Sequence, residues 1–422
     1  MSHIISNFDS IATNQLRIDA LSIIEKGSLA IDTNLLVKRT LSLENEILSI
    51  HGHKYNLKDY DKVFVFGFGK ASCKAVQEIE SILGNKIAGG IVIDKKISEC
   101  NYVKAYKGSH PLPTSYNVEV SEKIKDLAES LTEKDLAVVV VSGGGSALLC
   151  LPQSECDQGG ELYSNFLKAG GNIKELNILR KHVSTIKAGG LAKFLYPATV
   201  VSLVFCDVPG DHFGEVASGP TYLDHSTVAD AEKILAKHNI ENVFRLNETP
   251  KEEKFFEKVQ NIPLVSNKEA LRAMELEAKE RGYEVILLGD QIYDTPEVFL
   301  KNAYEKLKSR SIVLAGGELS IALKKEGGIG GRNLYTATTA LNVIADTDLF
   351  IAFASDGIDN KSVYAGAVVD AETKNKIKGR HLNVEKLHEE NKDNEIFEEI
   401  GEVIITGDTG SNVSDIYLMM RS

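Results

Sequence analysis

The chain has 422 residues, a length at which a single hydrophobic core usually gives way to two, so we expect two domains. Its net charge of −12 disfavours binding to a nucleic-acid backbone or an anionic membrane, and its sequence contains no apolar run long enough to span a membrane. The five cysteines form no CxxC pair or zinc-type spacing, and the first residues lack a signal-peptide pattern, so we expect a reduced, cytoplasmic protein.

Short β-branched runs alternate with helical patterns along the whole chain, which predicts an α/β fold with helices on both faces of its sheets. One apolar face predicts a helix over 71–83, ended by Gly84. The candidate strands cover 62–66, 91–93, 136–141, 200–205, 263–265, 284–288, 311–315, 349–354 and 403–406. A charged stretch over 237–260 separates two sets of strands, so we place the domain boundary near Leu246, giving domains 1–246 and 247–422.

Six of the predicted strands run into turns that combine glycine with a carboxylate, a hydroxyl or an amine. In chain order, these turns begin at Gly67, Ser142, Cys206, Gly316, Ser355 and Gly407. Ligands of open parallel sheets bind beyond the carboxyl ends of the strands, and glycine allows the backbone to approach a ligand closely. The implied ligand is an anion, either phosphate or carboxylate.

Two of these turns contain candidate residues for binding the anion: a glycine-rich turn and a lysine. Ser142, Gly143, Gly144, Gly145 and Ser146 follow an entirely apolar strand, which favours anion binding over a purely structural turn. Lys70 opens a helix after a buried strand, although its turn lacks the third glycine of a dinucleotide site at Ser72 and the first glycine of a P-loop at Phe64. We predict that Lys70 pairs with a transferred phosphoryl group rather than serving as an ordinary surface lysine.

Carboxylates and arginines complete the polar set. The acidic residues near strand ends are Asp207, Asp211, Glu318, Asp356 and Asp359. They suit Mg²⁺, which is commonly held by one or two carboxylates plus substrate phosphates, although any single one could be a helix cap. Arg180 and Arg332 are candidates to bind a carboxylate or a phosphoryl group, whereas His110 and His182 are expected to orient their neighbours.

Taken in order, these turns resemble the glycerate kinase family whose C-terminal half is called the MOFRL domain, and the likeness spans nearly the whole chain. The motifs that carry it are GFGKAS at 67–72, GSHPLPT at 108–114, VSGGGSALL at 141–149, LRKHVSTIKAGGLA at 179–192, CDVPGDHFGEVASGPT at 206–221, GGELS at 316–320, GGIGGRN at 327–333, SDGIDN at 355–360 and TGDTGSNVSD at 406–415. The resemblance implies a larger Rossmann-like αβα domain, a smaller MOFRL-type α/β domain and an active site in the cleft between them. It also implies ATP and Mg²⁺ as cofactors and D-glycerate as the substrate, phosphorylated at the 2-hydroxyl.

On this basis the predicted catalytic residues are Lys70, Arg332, Asp211 and Asp207, and the predicted metal ligands are Asp356 and Asp359. The predicted substrate- and phosphate-binding residues are the 142–146 turn, Arg180, Lys187, Glu318, Asn333, Thr409 and Asn412. The chain departs from the family pattern at Asn360 and Asp408, which replace a glycine and a proline. Asparagine tolerates a left-handed backbone, whereas Asp408 adds a charge to a glycine-rich turn.

For the reaction, we expect Arg332 or Arg180 to bind the glycerate carboxylate and Lys70 to balance the charge on the moving phosphoryl group. Asp211 or Asp207 would either accept the proton of the 2-hydroxyl or bind the metal. A hydroxypyruvate reductase is the alternative enzyme, and the incomplete dinucleotide fingerprint counts against it. A non-catalytic sugar-phosphate sensor is disfavoured by five acidic residues facing its ligand. The expected partners are a small molecule and a nucleotide, with no nucleic acid or membrane, and a homo-oligomer remains open.

Overall fold

The computed structural model describes residues 3–206, 212–241, 244–321 and 328–422. Its contacts separate two compact units. The first is formed by described residues between 36 and 264, and the second by residues 3–35 together with 265–422. Within the described ranges, no helix combines the length and apolar character that a membrane crossing requires.

The N-terminal residues form helices that precede both sheets. These are α1 (Phe8–Ile11), α2 (Gln15–Ala30) and α3 (Thr33–Thr40). A small antiparallel sheet of β1 (Leu41–Glu44), β2 (Ile47–Ile50) and β3 (His53–Asn56) follows.

The first unit is built on a six-stranded sheet. Its strands are β4 (Lys62–Phe68), β5 (Ile87–Asp94), β6 (Lys104–Lys107), β7 (Asp135–Val141), β8 (Thr199–Phe205) and β9 (Val259–Val265). The order is β6-β5-β4-β7-β8-β9, and the pairs from β6 to β8 are parallel. The carboxyl ends of β4 and β7, where Lys70 and the 142–146 turn begin, therefore lie side by side.

Helices lie on both faces of this sheet, and three more form a separate core. The helices of the unit are α4 (Ser72–Leu83), α5 (Ser115–Glu129), α6 (Gly145–Leu148), α7 (Gln153–Lys168), α8 (Ile173–His182), α9 (Gly190–Leu195) and α10 (Val228–Lys237), of which α7, α8 and α10 pack with one another. Successive residues of β4 point to opposite faces of the sheet. Phe66 and Phe68 pack with residues of α5 and α9 on one face, whereas Gly67 lies against Val76 of α4 on the other. The three-layer arrangement and the helix predicted over 71–83 are confirmed in this unit.

The second unit contains a mixed sheet rather than a parallel one. Its strands are β10 (Glu284–Ile292), β11 (Ser311–Gly317), β12 (Asp348–Ala354), β13 (Gly366–Val369), β14 (Val403–Ile404) and β15 (Asp415–Arg421), in the order β10-β11-β15-β12-β13-β14. The sequence analysis did not predict β15, which lies between β11 and β12 and is antiparallel to both. Its first residue, Asp415, pairs with Gly317 and Ala354, so β15 begins at the edge where β11 and β12 end.

Helices also pack on both faces of the mixed sheet. These are α11 (Asn267–Glu280), α12 (Pro296–Lys306), α13 (Arg332–Ala340), α14 (Ala371–Arg380), α15 (Val384–Glu389) and α16 (Asp393–Ile400). The core on one face joins α12, α13 and α16 to β11, β12 and β15. On the other face α11 packs beside α2, the helix from the N-terminus.

The division between the two units lies at a different position from the domain boundary predicted near Leu246. The units divide next to Val265, because β9 joins the first sheet, and the first 35 residues belong to the second unit. Arg17 of α2 supplies a physical reason, since its buried guanidinium binds Asp370 and Glu402, each at 2.7 Å. The domain boundary was predicted from local composition, which carries no information on ion-pair partners more than 350 residues away in the chain.

Candidate active site

Two glycine-rich turns are joined at the edge of the first sheet. The Lys70 N–H donates to the carbonyl of Gly143 at 2.8 Å, and the Ser142 N–H donates to the carbonyl of Phe68 at 3.1 Å. Gly69 has φ +120°, and a Cβ there would lie 2.2 Å from the Oγ of Ser142, so only glycine fits. The predicted Lys70 and 142–146 turns are therefore one structural element.

Ser142 fixes this element from inside. Its side chain is buried, its Oγ accepts the Ala71 N–H at 3.2 Å, and it lies 3.1 Å from the hydroxyl of Ser72. The hydroxyl predicted to bind phosphate thus already has protein partners. In this position Ser142 sets the start of α4 and, with it, the direction in which Lys70 leaves the turn.

His110 lies against the same turn. Gly144 has φ +79°, and a Cβ there would lie 3.0 Å from His110 Nε2 and 3.1 Å from Lys70 Cγ. Burial and, secondarily, the charge of Lys70 lower the pKa of His110 to about 4. The imidazole is therefore neutral at physiological pH and adds no positive charge beside Lys70. Asn117 holds the loop by donating to the carbonyls of Ser109 and Ala147.

The end of the turn is packed against residues just beyond β8. A Cβ on Gly145 would lie 2.6 Å from Cβ of Ala217, and the hydroxyl of Ser146 lies 3.1 Å from that of Ser218. Ala217 and Ser218 both have positive φ, of 51° and 60°, a strained conformation for residues with a Cβ. Ser218 was not singled out from the sequence, although it lies within the quoted CDVPGDHFGEVASGPT motif.

Arg180 lies on α8, beside an aromatic ring and a polar cluster. Its guanidinium carbon is 4.6 Å from the centre of the Tyr163 ring, and Asn177 accepts a hydrogen bond from it at 3.4 Å. Glu215 lies next to this group, bound by Asn177 at 3.1 Å and by Lys181 at 3.0 Å. Arg180 is half-buried and fixed by stacking, which suits a cation presented to a ligand.

Lys187 has a different environment from the other predicted ligands. Its side chain is 1% exposed, and its ammonium forms an ion pair with the equally buried Glu155. Leu151 donates its N–H to the second oxygen of Glu155 at 3.1 Å. This pairing gives Lys187 a structural partner, and the sequence could not reveal a buried pair between residues 32 positions apart.

Arg332 is anchored at the edge of the second sheet. It is the first residue of α13, and its Nη1 lies 2.7 Å from Asp415 while its Nη2 lies 3.7 Å from Glu318. Burial alone would lower the pKa of Arg332, but the charges of Asp415 and Glu318 raise it above its ordinary value. Asp415 was not singled out from the sequence, although it is the last residue of the quoted TGDTGSNVSD motif.

Asp359 caps α13 in the structure. Its Oδ1 accepts the Asn333 N–H at 3.1 Å, and its Oδ2 accepts the Leu334 N–H at 2.9 Å. The Nδ2 of Asn333 bridges Asp359 and Asp415, at 3.2 and 2.9 Å. Burial, strengthened by the nearby Asp415, raises the pKa of Asp359 to about 7 despite these donors. The predicted metal ligand and the predicted ligand-binding Asn333 thus form one buried network.

The other predicted residues of the second unit lie in neighbouring turns. Asp356 is partly exposed at the end of β12, and its Oδ1 accepts the Ile358 N–H at 3.1 Å. The hydroxyl of Thr409 donates to the carbonyl of Ser355 at 2.7 Å, which ties the 407–412 turn to the same edge. Asn412 accepts the Ser414 N–H at 3.3 Å within that turn.

Both departures from the family pattern are accommodated locally. Asn360 has φ +60° and donates its amide to the carbonyl of Gly330 at 3.0 Å, so it takes the conformation of the glycine it replaces. The Asp408 carboxylate accepts the Gly410 N–H at 2.8 Å inside its own turn. The added charge at position 408 is therefore compatible with a closed turn.

Asp207 and Asp211, predicted as catalytic carboxylates, lie outside the described residues. Among the residues that are described, no three His, Cys, Asp or Glu side chains gather closely enough to hold a metal by themselves.

Comparison with known proteins assigns both halves of the chain. Residues 19–247 match a domain of unknown function, DUF4147, and residues 311–415 match the MOFRL family. The D-glycerate 2-kinase of Thermotoga maritima is 31% identical, covering 94% of this chain and 97% of the relative. A protein named putative hydroxypyruvate reductase from Agrobacterium vitis is also 31% identical, over 83% of this chain and 85% of the relative.

Solved structures give the same assignment at the level of the fold. The crystal structure of a glycerate kinase from Thermotoga maritima superposes with a TM-score of 0.83 at 28% identity, covering 96% of this chain and 99% of that chain. The family match, the shared length and the shared fold agree with the motifs quoted above. This chain therefore belongs to the family of glycerate 2-kinases that combine a DUF4147 domain with a MOFRL domain.

Proposed function

We propose that this protein is an ATP-dependent kinase that phosphorylates the 2-hydroxyl of D-glycerate to give 2-phosphoglycerate and ADP. The observation that carries the proposal is the fixed position of Lys70, whose backbone is bonded to the 142–146 turn at the carboxyl edge of a parallel sheet. Phosphoryl transfer asks the protein mainly for alignment and charge stabilisation, and a cation held beside glycine-rich backbone supplies both.

Arg332 is our second essential cation. Asp415 and Glu318 orient its guanidinium from one side, and 31% of its side chain remains exposed to a ligand. A planar guanidinium in this position can bind a carboxylate or a phosphoryl group with two parallel hydrogen bonds. Arg180, stacked on Tyr163, is the alternative ligand of the glycerate carboxylate.

The residues at the two sheet edges differ in how well they fit ATP and Mg²⁺. Gly69 and Gly144 allow the two turns to pack closely, because a Cβ at either position would meet Ser142, His110 or Lys70. This packing holds Lys70 at the edge to which the proposal assigns the phosphates of ATP. Mg²⁺ in such sites is held by one or two carboxylates and the phosphates, so the partly exposed Asp356 fits a ligand role. Asp359 fits less well, because both of its oxygens already accept N–H groups of α13. When bound, the ion would supply positive charge to the nucleotide phosphates.

In this proposal, either Asp211 or Asp207 accepts the proton of the 2-hydroxyl. The alternative role of each of these carboxylates is to bind the metal. Since Lys70 and Arg332 belong to different units, the proposal requires residues of both. The cleft expected from the sequence therefore stays a prediction.

The experiment that tests the proposal separates a kinase from a reductase. Purified protein with ATP, Mg²⁺ and D-glycerate should release ADP, and the same protein with NADH and hydroxypyruvate should leave NADH unchanged. The reductase alternative rests on the names of two relatives and on no dinucleotide fingerprint in this chain. If no ADP is released and NADH is oxidised, the protein is a reductase and the proposal is wrong. If the protein binds its ligand but catalyses neither reaction, the sugar-phosphate sensor is favoured.

A further inference from the structure

A second polar cavity lies in the first unit, away from the glycine-rich turns. It has a volume of about 610 Å³, within the range of small-molecule sites. Its walls come from α5, the segment between α8 and α9, α9 itself, and residues 245–250. Neither Lys70 nor any residue of the 142–146 turn lines it.

The cavity is lined by more positive than negative side chains. Lys125, Lys187, Lys193 and Arg245 face it, against Glu248 as the carboxylate among its lining residues. Lys187 is neutralised by Glu155 behind the wall. Lys125 lies 3.6 Å from Glu122 on its own helix, and Glu248 lies 3.6 Å from Lys251. Among the described residues, neither Lys193 nor Arg245 has a carboxylate at ion-pair distance, so their charges are not balanced by the protein.

Hydrogen bonds fix the wall that carries Arg245. The backbone of Asn247 pairs with His182, its N–H donating to the His182 carbonyl at 2.6 Å and its carbonyl lying 2.9 Å from His182 Nδ1. The hydroxyl of Thr249 donates to Asp224 at 3.1 Å. A wall held in this way keeps its cations in place before a ligand arrives, which lowers the entropic cost of binding.

One buried donor in this wall lacks an acceptor. The Nδ2 of Asn247, a lining residue, is buried and makes no hydrogen bond. Phe194 adds a flat apolar surface on the opposite side, with the ammonium of Lys125 lying 5.8 Å from its ring centre. The lining thus offers cations, an unpaired amide donor and one aromatic face, together with the hydroxyls of Ser184, Thr185 and Thr249.

We propose that this cavity is a second, non-catalytic site that binds a phosphorylated small molecule through Lys193, Arg245 and Lys125. A compact anion with two or more negative charges matches three cations around one cavity better than a neutral or monovalent ligand does. The proposal is independent of the reaction catalysed at Lys70.

The sequence contains no tryptophan, which allows a direct test. Phe194→Trp places the one indole of the protein at the cavity wall, and inorganic pyrophosphate is titrated at constant ionic strength, so that general screening does not change. We expect a saturable change in fluorescence. Adding Lys193→Gln and Arg245→Gln should raise the Kd for pyrophosphate by at least about tenfold.

A charge-matched control replaces Lys58 and Lys123, two lysines outside the cavity, with Gln in the same Phe194→Trp background; it should bind as before. A non-saturable signal, or an equal loss of affinity in the control, would overturn the proposal. If Phe194→Trp does not fold, the pyrophosphate-induced rise in Tm of otherwise unaltered protein is compared with that of Lys193→Gln/Arg245→Gln, and equal rises would also overturn it.

Discussion

At the scale of single residues, Lys70 is the side chain on which the proposed phosphoryl transfer depends most. Its backbone is bonded to Gly143, and its Cγ would touch a Cβ added at Gly144. Lys70→Ala should lower kcat/KM by about 10²-fold or more, roughly 2.7 kcal/mol, since it removes charge that the transition state needs. Lys70→Arg should not restore activity, because the guanidinium is larger and its donors point elsewhere.

The Lys70 measurement needs steady-state kinetics together with a melting curve. Lys123→Ala, an exposed lysine paired with Glu119 on α5, is the matched control and should leave kcat/KM unchanged. An unchanged Tm with lost activity identifies Lys70 as functional. Retention of more than about a tenth of wild-type kcat/KM would remove Lys70 from the proposed mechanism.

Asp415 tests how Arg332 is positioned. The carboxylate lies 2.7 Å from Nη1 of Arg332 and also binds Asn333, so Asp415→Asn should leave the arginine charged but less well oriented. We expect a loss of about tenfold in kcat/KM, but little further loss when Asp415→Asn is added to Arg332→Ala, since the arginine that Asp415 orients is then already absent. Losses that simply add in the double variant would show that the two residues act independently.

Asp359 should give the second unit a specific pH dependence. Its pKa is raised by burial from 3.8 to about 7, so the folded state holds this proton more tightly than the unfolded chain does. The stability it contributes is complete below about pH 4 and is lost as pH rises through about 7. Asp359→Asn should abolish this contribution to the pH dependence of stability. The measurement is the free energy of unfolding of both proteins at several pH values between 4 and 8. Identical slopes in both proteins would contradict the assignment.

At the scale of elements, the buried guanidinium of Arg17 attaches α2 to the second sheet. It binds Asp370 and Glu402, which are almost completely buried. Arg17→Ala leaves the buried Asp370 without its cation and Glu402 with Lys376 alone, and we expect a loss of about 3–5 kcal/mol in the free energy of unfolding. Urea denaturation provides the measurement.

Arg281→Ala is the control for Arg17, because that arginine also pairs with two carboxylates but is 27% exposed. Its loss should cost about 1 kcal/mol or less. Equal effects of the two substitutions would mean that α2 is held by its apolar contacts with α11 rather than by the ion pairs.

The elements also show what the sequence could predict. Apolar β-branched runs revealed β4, β7, β8, β11 and β12, because buried parallel or central strands have a strong local signature. The same signature failed for β15, whose Met419 and Met420 have no strong strand preference. Asp415 was missed with it, since its position beside Arg332 depends on that strand.

At the scale of the whole molecule, the family motifs predicted the two α/β units and the sheet edges that carry the glycine-rich turns. They could not show that Lys187 is paired with Glu155, that Asp359 caps α13, or that residues 3–35 pack with the second unit. Each of these depends on a contact between residues far apart in the chain, which local pattern does not encode.

In the proposed reaction, the whole chain acts as one kinase that transfers a phosphoryl group from ATP to the 2-hydroxyl of D-glycerate. The most direct test is a ³¹P NMR spectrum of the products formed from ATP, Mg²⁺ and D-glycerate. We predict 2-phosphoglycerate and ADP in equal amounts with the wild-type protein, and neither product above background with Lys70→Ala. A spectrum containing 3-phosphoglycerate alone, or no phosphorylated glycerate at all, would contradict it.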